Sequence, residues 1–223
     1  MLSPVRHADL SVLIPAAGSG ERLGLGPKGL LELAGKPLVT WLSGKLGRIS
    51  DEVIIAAPPG QVERFQGLCP GSHCIPGGHS RQDSVTALVA RATRPWVMVA
   101  DVTRPFASLN LYNAVLTKAR ETGVAGAFLA PDVPVAELVD SGIARVLKPR
   151  QAGIFQLPHV FSRELLAGVL ADAARHGWEE QSTLELAIRA GCQVGVVPGE
   201  KTNIKLTTPE DWLLATSLTE YLQ

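Results

Sequence analysis

The chain is poor in aromatic side chains, with four Trp, two Tyr and five Phe among 223 residues. A core built on ring pairs is therefore a poor expectation, and an aliphatic α/β core a better one. Three cysteines, Cys69, Cys74 and Cys192, are an odd count, with no matching Cys/His cluster at zinc-ligand spacing. They are expected to be free thiols. Five histidines are scattered, and no Ser/His/Asp set stands out. Charge of either sign is not in excess: 21 Lys and Arg balance 21 Asp and Glu. That excludes a surface evolved to bind nucleic acid all over, and leaves room for a local basic pocket. No apolar run approaches the roughly 20 residues that span a bilayer. Met1 to Asp9 carries no apolar signal-peptide core. The expectation is a cytoplasmic chain with neither nucleic acid nor membrane as partner.

What is present in quantity is apolar aliphatic sequence, at 46% hydrophobic residues overall. Short aliphatic runs bounded by Gly, Pro or Asp read as buried parallel strands. They are Leu10 to Pro15, Glu52 to Ala57, Trp96 to Ala100, Val124 to Leu129 and Gln193 to Val197. Amphipathic stretches between them read as helices: Leu38 to Leu46, Gln61 to Leu68, Arg81 to Arg91, Ser108 to Glu121, Ser162 to His176 and Leu184 to Ala190. Ser108 suits an N-cap, and Pro209 the first turn of a last helix. The alternation predicts one domain over residues 1–223, an α/β three-layer sandwich around a mostly parallel, Rossmann-like sheet. A single segment, at about 132–149, breaks the rhythm. Val133 to Val139 and Ile143 to Lys148 alternate around the turn Asp140-Ser141-Gly142, which predicts a protruding β-arm. A two-stranded ribbon is marginal alone in water, so a second subunit is its expected support, with a flap on its own domain as the alternative.

The chemistry concentrates at strand ends. Ser11 to Leu23 runs from an apolar strand into Pro15-Ala16-Ala17-Gly18-Ser19-Gly20-Glu21-Arg22, with Lys28 close behind. Small residues let backbone N–H groups approach an anion, and the two cations add charge; a polyphosphate fits both. The dinucleotide fingerprint fails because its third glycine is Leu23, and a Walker loop fails because Lys28 lies between Pro27 and Gly29. An ordinary strand-to-helix turn remains the alternative. Three further strand ends offer similar chemistry. Gly77-Gly78 leads into a helix with Arg81 and Ser84 in its first turn. Asp101 follows the Trp96 run as a hard oxygen ligand suited to Mg²⁺, with Arg104 as a fork donor for phosphate. Lys205 follows the last strand as a point charge. In an open parallel sheet, ligands sit outside these carboxyl ends.

Taken together, these segments resemble the 2-C-methyl-D-erythritol 4-phosphate cytidylyltransferase family along nearly the whole chain. The residues that carry the resemblance are Pro15 to Leu23, Pro27-Lys28, Gly77-Gly78-x-x-Arg81-x-x-Ser84-Val85, Asp101-x-x-Arg104-Pro105 and Asn203-Ile204-Lys205. The resemblance implies transfer of CMP from CTP to a polyol phosphate. Arg22, Lys28, Arg150 and Lys205 would form its catalytic set. Pro15, Ala16, Ala17, Gly18, Ser19, Gly20, Gly77, Gly78, Arg81, Ser84 and Asp101 would hold the nucleotide, and Asp101 the Mg²⁺. Asp101, Arg104, Arg150 and Lys205 would meet the acceptor, and the arm would reach into the site of a partner in a homodimer.

Departures from the family pattern gather on the acceptor side. The arm reads Pro134-Val135-Ala136-Glu137 where the family carries an Asp-Thr pair. Leu157-Pro158-His159 stands for Thr-Pro-Gln, Gln181-Ser182-Thr183-Leu184 for Thr-Asp-Glu/Asp-Ala, and Thr202 for an aspartate. The resemblance implies 2-C-methyl-D-erythritol 4-phosphate as acceptor, in the non-mevalonate route to isoprenoid precursors, with another polyol phosphate such as ribitol 5-phosphate as the alternative. A catalytically weakened nucleotide-binding homologue is the third reading.

Overall fold

The computed structural model describes residues 5–18 and 26–222. Its spine is β1 (Leu10–Pro15), wholly buried. The small pair β2 (Glu32–Leu33) and β3 (Lys36–Pro37) follows, then α1 (Leu38–Leu46), β4 (Glu52–Ala57), α2 (Val62–Leu68), β5 (His73–Pro76), α3 (Arg81–Arg91) and β6 (Trp96–Val99). The second half contributes α4 (Leu109–Thr122), β7 (Val124–Leu129), β8 (Val135–Val139), β9 (Gly142–Leu147), β10 (Ile154–Ser162), α5 (Arg163–His176), α6 (Thr183–Arg189), β11 (Gly195–Pro198) and α7 (Pro209–Ser217). Seven strands form the main sheet in the order β11-β7-β10-β6-β1-β4-β5. All its pairings are parallel except those of β10, which runs antiparallel between β6 and β7.

Strand alternation divides the core. Val12 and Ile14 of β1 pack with Leu38, Leu42 and Leu46 of α1, Phe65 of α2, and Leu111 and Val115 of α4. Leu13 points the other way, into a cluster with Val85 and Leu88 of α3, Leu166 and Leu170 of α5, and Leu186 of α6. This period of two on the strand and three to four on the helices gives the expected three layers. Helix starts are well determined: Ser108 Oγ accepts from Leu111 N–H at 3.1 Å, and Thr208 and Asp211 form a capping box around Pro209. The three cysteines are free.

Two strands of the main sheet were not legible beforehand. β5 is only four residues long, at the sheet edge. β10 places Gln156 and His159 among apolar residues and shifts register between them, so its alternation is broken. β11 lies slightly later than its sequence signal, ending at Pro198. The arm forms as expected: β8 and β9 pair with each other alone, with Asp140 in the left-handed region at φ 52° in the turn. Its residues are exposed along β8 and nearly all of β9. No helix among the described residues is long and apolar enough to cross a membrane.

Candidate active site

A cavity of about 560 Å³ opens where β1, β5 and β6 end. Pro15 to Gly18 form one wall, Gly78 to Arg81 and Ser84 a second, and Asp101 to Thr103 a third. Lys28 and Lys205 complete it. These walls come from distant parts of the sequence, brought together because parallel strands present their carboxyl ends on one side.

Close packing of small groups sets the first two walls. A Cβ on Gly77 would lie 2.4 Å from the Ala17 Cβ, and one on Gly78 would lie 2.2 Å from the Asp83 Cβ. Any larger residue at either glycine forces the loops apart. Gly77 N–H donates to Ala57 O at 2.8 Å, and Gly78 N–H to Ser84 Oγ at 3.1 Å. Ser84 gives its own hydrogen to Ser80 O at 3.0 Å. Its hydroxyl therefore fixes the glycine turn. Ser80 and Asp83 form a capping box at the start of α3, so the positive end of that helix opens beside the cavity.

Electrostatics favour an anion. Lys28, Arg81 and Lys205 line the cavity against one carboxylate, Asp101. Asp101 is 6% exposed. Burial alone would raise its carboxyl, but Arg81, Lys205 and two hydrogen bonds from Thr103 outweigh it and hold the group below the ordinary carboxylate range. Thr103 N–H and Oγ–H both donate to Oδ1, at 2.9 and 2.8 Å. Oδ2 lies 4.0 Å from Lys205 Nζ. Lys205 is itself lowered, first by burial, with Arg81, Arg104 and Lys28 adding repulsion against the attraction of Asp101.

Beneath the cavity lies a buried polar network. Gln156 Nε2 donates to Glu200 O at 2.9 Å and Asn203 O at 3.2 Å, while its Oε1 accepts from Glu200 N–H at 3.0 Å. Asn203, fully buried, donates from Nδ2 to Leu157 O at 2.8 Å. Arg104 does not line the cavity. Its guanidinium donates to Asn203 O at 2.5 Å and Phe155 O at 3.4 Å, tying the segment after β6 to the Lys205 segment. His159 is 1% exposed, with Nδ1 2.9 Å from Thr183 Oγ1 and Nε2 without a hydrogen-bond partner. Burial, then Arg81 and Arg104, push its imidazole down to about 3.

The sequence-derived residues thus divide. Pro15, Ala16, Ala17, Gly18, Lys28, Gly78, Arg81, Ser84, Asp101 and Lys205 meet at the cavity, with Gly77 packed behind Ala17. Ser19, Gly20 and Arg22 lie outside the described residues. Arg150 is exposed in a short turn after the arm and is not in the cavity wall. Sequence reasoning missed the anchoring roles of Thr103 and Gln156. A glutamine inside an otherwise apolar stretch was the available signal for the second.

Among the described residues no cluster of three or more His, Cys, Asp or Glu could hold a metal. A Mg²⁺ ion typically takes one or two carboxylates and completes its shell with water and substrate phosphates. The ionised Asp101 in the cavity wall fits that mode.

Residues 10–220 match the family described as 2-C-methyl-D-erythritol 4-phosphate cytidylyltransferase. A relative of that name from Thermus thermophilus is 41% identical over 215 residues, covering 94% of this chain and 97% of its own. One from Deinococcus radiodurans is 36% identical over 217 residues, covering 95% and 90%. The crystal structure of the Thermus thermophilus enzyme superposes with a TM-score of 0.83 at 35% identity, over 95% of this chain and 99% of that one. The 4-diphosphocytidyl-2C-methyl-D-erythritol synthase of Anaerococcus prevotii shares the fold, with a TM-score of 0.85 at 20% identity over 96% of each chain.

Proposed function

The chain belongs to the 2-C-methyl-D-erythritol 4-phosphate cytidylyltransferase family, and from that premise we propose how its cavity works. The enzyme transfers CMP from CTP to 2-C-methyl-D-erythritol 4-phosphate in isoprenoid precursor synthesis. The observation that carries the mechanism is the convergence of Lys28, Arg81 and Lys205 on one ionised carboxylate, in a cavity walled by backbone.

A phosphate oxygen of the acceptor attacks the α-phosphorus of CTP. The new P–O bond forms as the bond to the β-phosphoryl oxygen breaks, and pyrophosphate carries that electron pair away. The nucleophile is already ionised, so no side chain has to remove a proton. Catalysis is then positioning and charge stabilisation. Lys28 neutralises charge on the triphosphate, and Lys205 steers the acceptor phosphate. The Pro15–Gly18 and Gly77–Ser84 walls seat the nucleotide. Asp101 would hold Mg²⁺, which when bound supplies Lewis-acid polarisation of phosphate oxygens.

The arm gives the reading its oligomeric side. Leu138, Val139, Ile143 and Val146 are all more than half exposed, on a ribbon that pairs with no other strand. A second copy of the chain would cover them, as a homodimer in the cytoplasm, and Arg150 at the arm's base would reach the acceptor. The test is pyrophosphate release with CTP, Mg²⁺ and a panel of polyol phosphates. Release with methylerythritol phosphate well above ribitol 5-phosphate is expected. CTP binding with no release for methylerythritol phosphate overturns the reading.

A further inference from the structure

Lysine is almost never fully buried unless partnered. Lys45, on α1, is 5% exposed and lies outside the cavity wall. Its Nζ donates to Pro105 O at 2.8 Å and Ala107 O at 3.2 Å. Both carbonyls belong to the irregular segment between β6 and α4, whose second residue is Asp101. That segment is buried from Asp101 to Ala107. Its first half is held from the cavity side, by Thr103 on Asp101 and by Leu206 N–H on Thr103 O at 2.8 Å. Its second half is gripped by Lys45 and, one residue on, by Glu200, whose carboxylate accepts from Ser108 N–H at 3.0 Å and from the Ser108 hydroxyl. Glu200 also opens the segment that carries Lys205, and Gln156 holds its backbone.

We propose that Lys45 is a positioning residue for cytidylyl transfer. Its ammonium fixes the segment that carries Asp101 and, with Glu200, sets that segment against the one that carries Lys205. The proposal rests on the reaction assigned above. A hydrophobic side chain would fill this place on α1 at lower desolvation cost, whereas an ammonium grips two carbonyls through charge-assisted bonds, roughly twice as strong as neutral ones. Burial brings the lysine down to about 8, against attraction from Glu200 in the segment after β11, with Arg48 just past α1 adding repulsion. The grip therefore weakens in mild alkali.

Steady-state kinetics of Lys45→Met and Lys45→Arg test this. In Lys45→Met, kcat should fall about 10- to 100-fold, the scale of a lost supporting contact, with the KM for CTP within about threefold of the parent. In Lys45→Arg, which keeps charge and donors, kcat near neutral pH should recover to within about threefold. The parent should lose kcat through an alkaline limb near pH 8 that Lys45→Arg lacks. Lys205, also lowered by burial, stays in place in both variants, so a limb the two share is its own; the difference between the profiles reports Lys45, and identical profiles overturn the proposal. So does an unchanged kcat in Lys45→Met. If the methionine variant does not fold, the arginine pH profile alone decides. A parent that releases no pyrophosphate sinks the reaction and the proposal together, whereas an active parent matched by Lys45→Met sinks the proposal alone.

Discussion

The cavity has one side made of backbone and another made of buried polar side chains. Around β1, β5 and β6, loops approach because Gly77 and Gly78 carry no Cβ to meet Ala17 and Asp83. Around β10, Gln156, Asn203 and Arg104 hold the Lys205 segment by hydrogen bonds. The first side is a fixed shape that suits the repeating geometry of a phosphate chain. The second is a linkage of side chains: Arg104 and Asn203 in it belong to the family pattern, while its neighbours Leu157, His159 and Thr202 depart from it.

The largest expected effect falls on the backbone side. Lys28→Ala should lower kcat by about 10²–10³, the usual loss on removing one charge-stabilising donor, with the fold intact by circular dichroism. Near-normal turnover would remove Lys28 from the mechanism. A smaller effect should mark the acceptor, which Arg150 is proposed to reach from the arm's base, outside both walls. Arg150→Ala should raise the KM for the acceptor about tenfold, the size of one charged hydrogen bond, while the KM for CTP stays put. If both constants rise alike, Arg150 does not act on the acceptor alone.

The smallest effect concerns stability. His159 sits near 3 in the folded protein and near 6.5 unfolded. Between those values the unfolded chain binds more protons, so stability rises with pH across the window and is lost as pH falls through it. His159→Gln should remove this acid sensitivity, worth on the order of 1–2 kcal/mol at about pH 5 and a few degrees of melting temperature. Parallel melting curves for parent and variant from about pH 4 to pH 7 would refute the assignment.

Legibility followed the same division. Parallel strands announce themselves as aliphatic runs, and a glycine-rich turn after such a run announces a ligand, so β1, β4, β6 and their loops could be read directly. The antiparallel β10 could not, because Gln156 and His159 interrupt its alternation and the register shifts between them. Arg104 looked like a phosphate donor because a cation after a strand end commonly is one. Only the fold reveals Asn203 O and Phe155 O waiting for its guanidinium. Lys45 gave no signal, since an isolated lysine on a helix is ordinarily solvated.

The contact between Ala17 and Gly77 has a consequence for how such a site can change over time. One methyl group fills a gap that the two loops own jointly, so the width available to a ligand is a shared dimension and not a property of either loop. A bulkier residue at Gly77 is tolerable only if Ala17 gives way, and with alanine facing glycine almost nothing is left to surrender. A side chain added at Gly77 is therefore paid for by both loops at once.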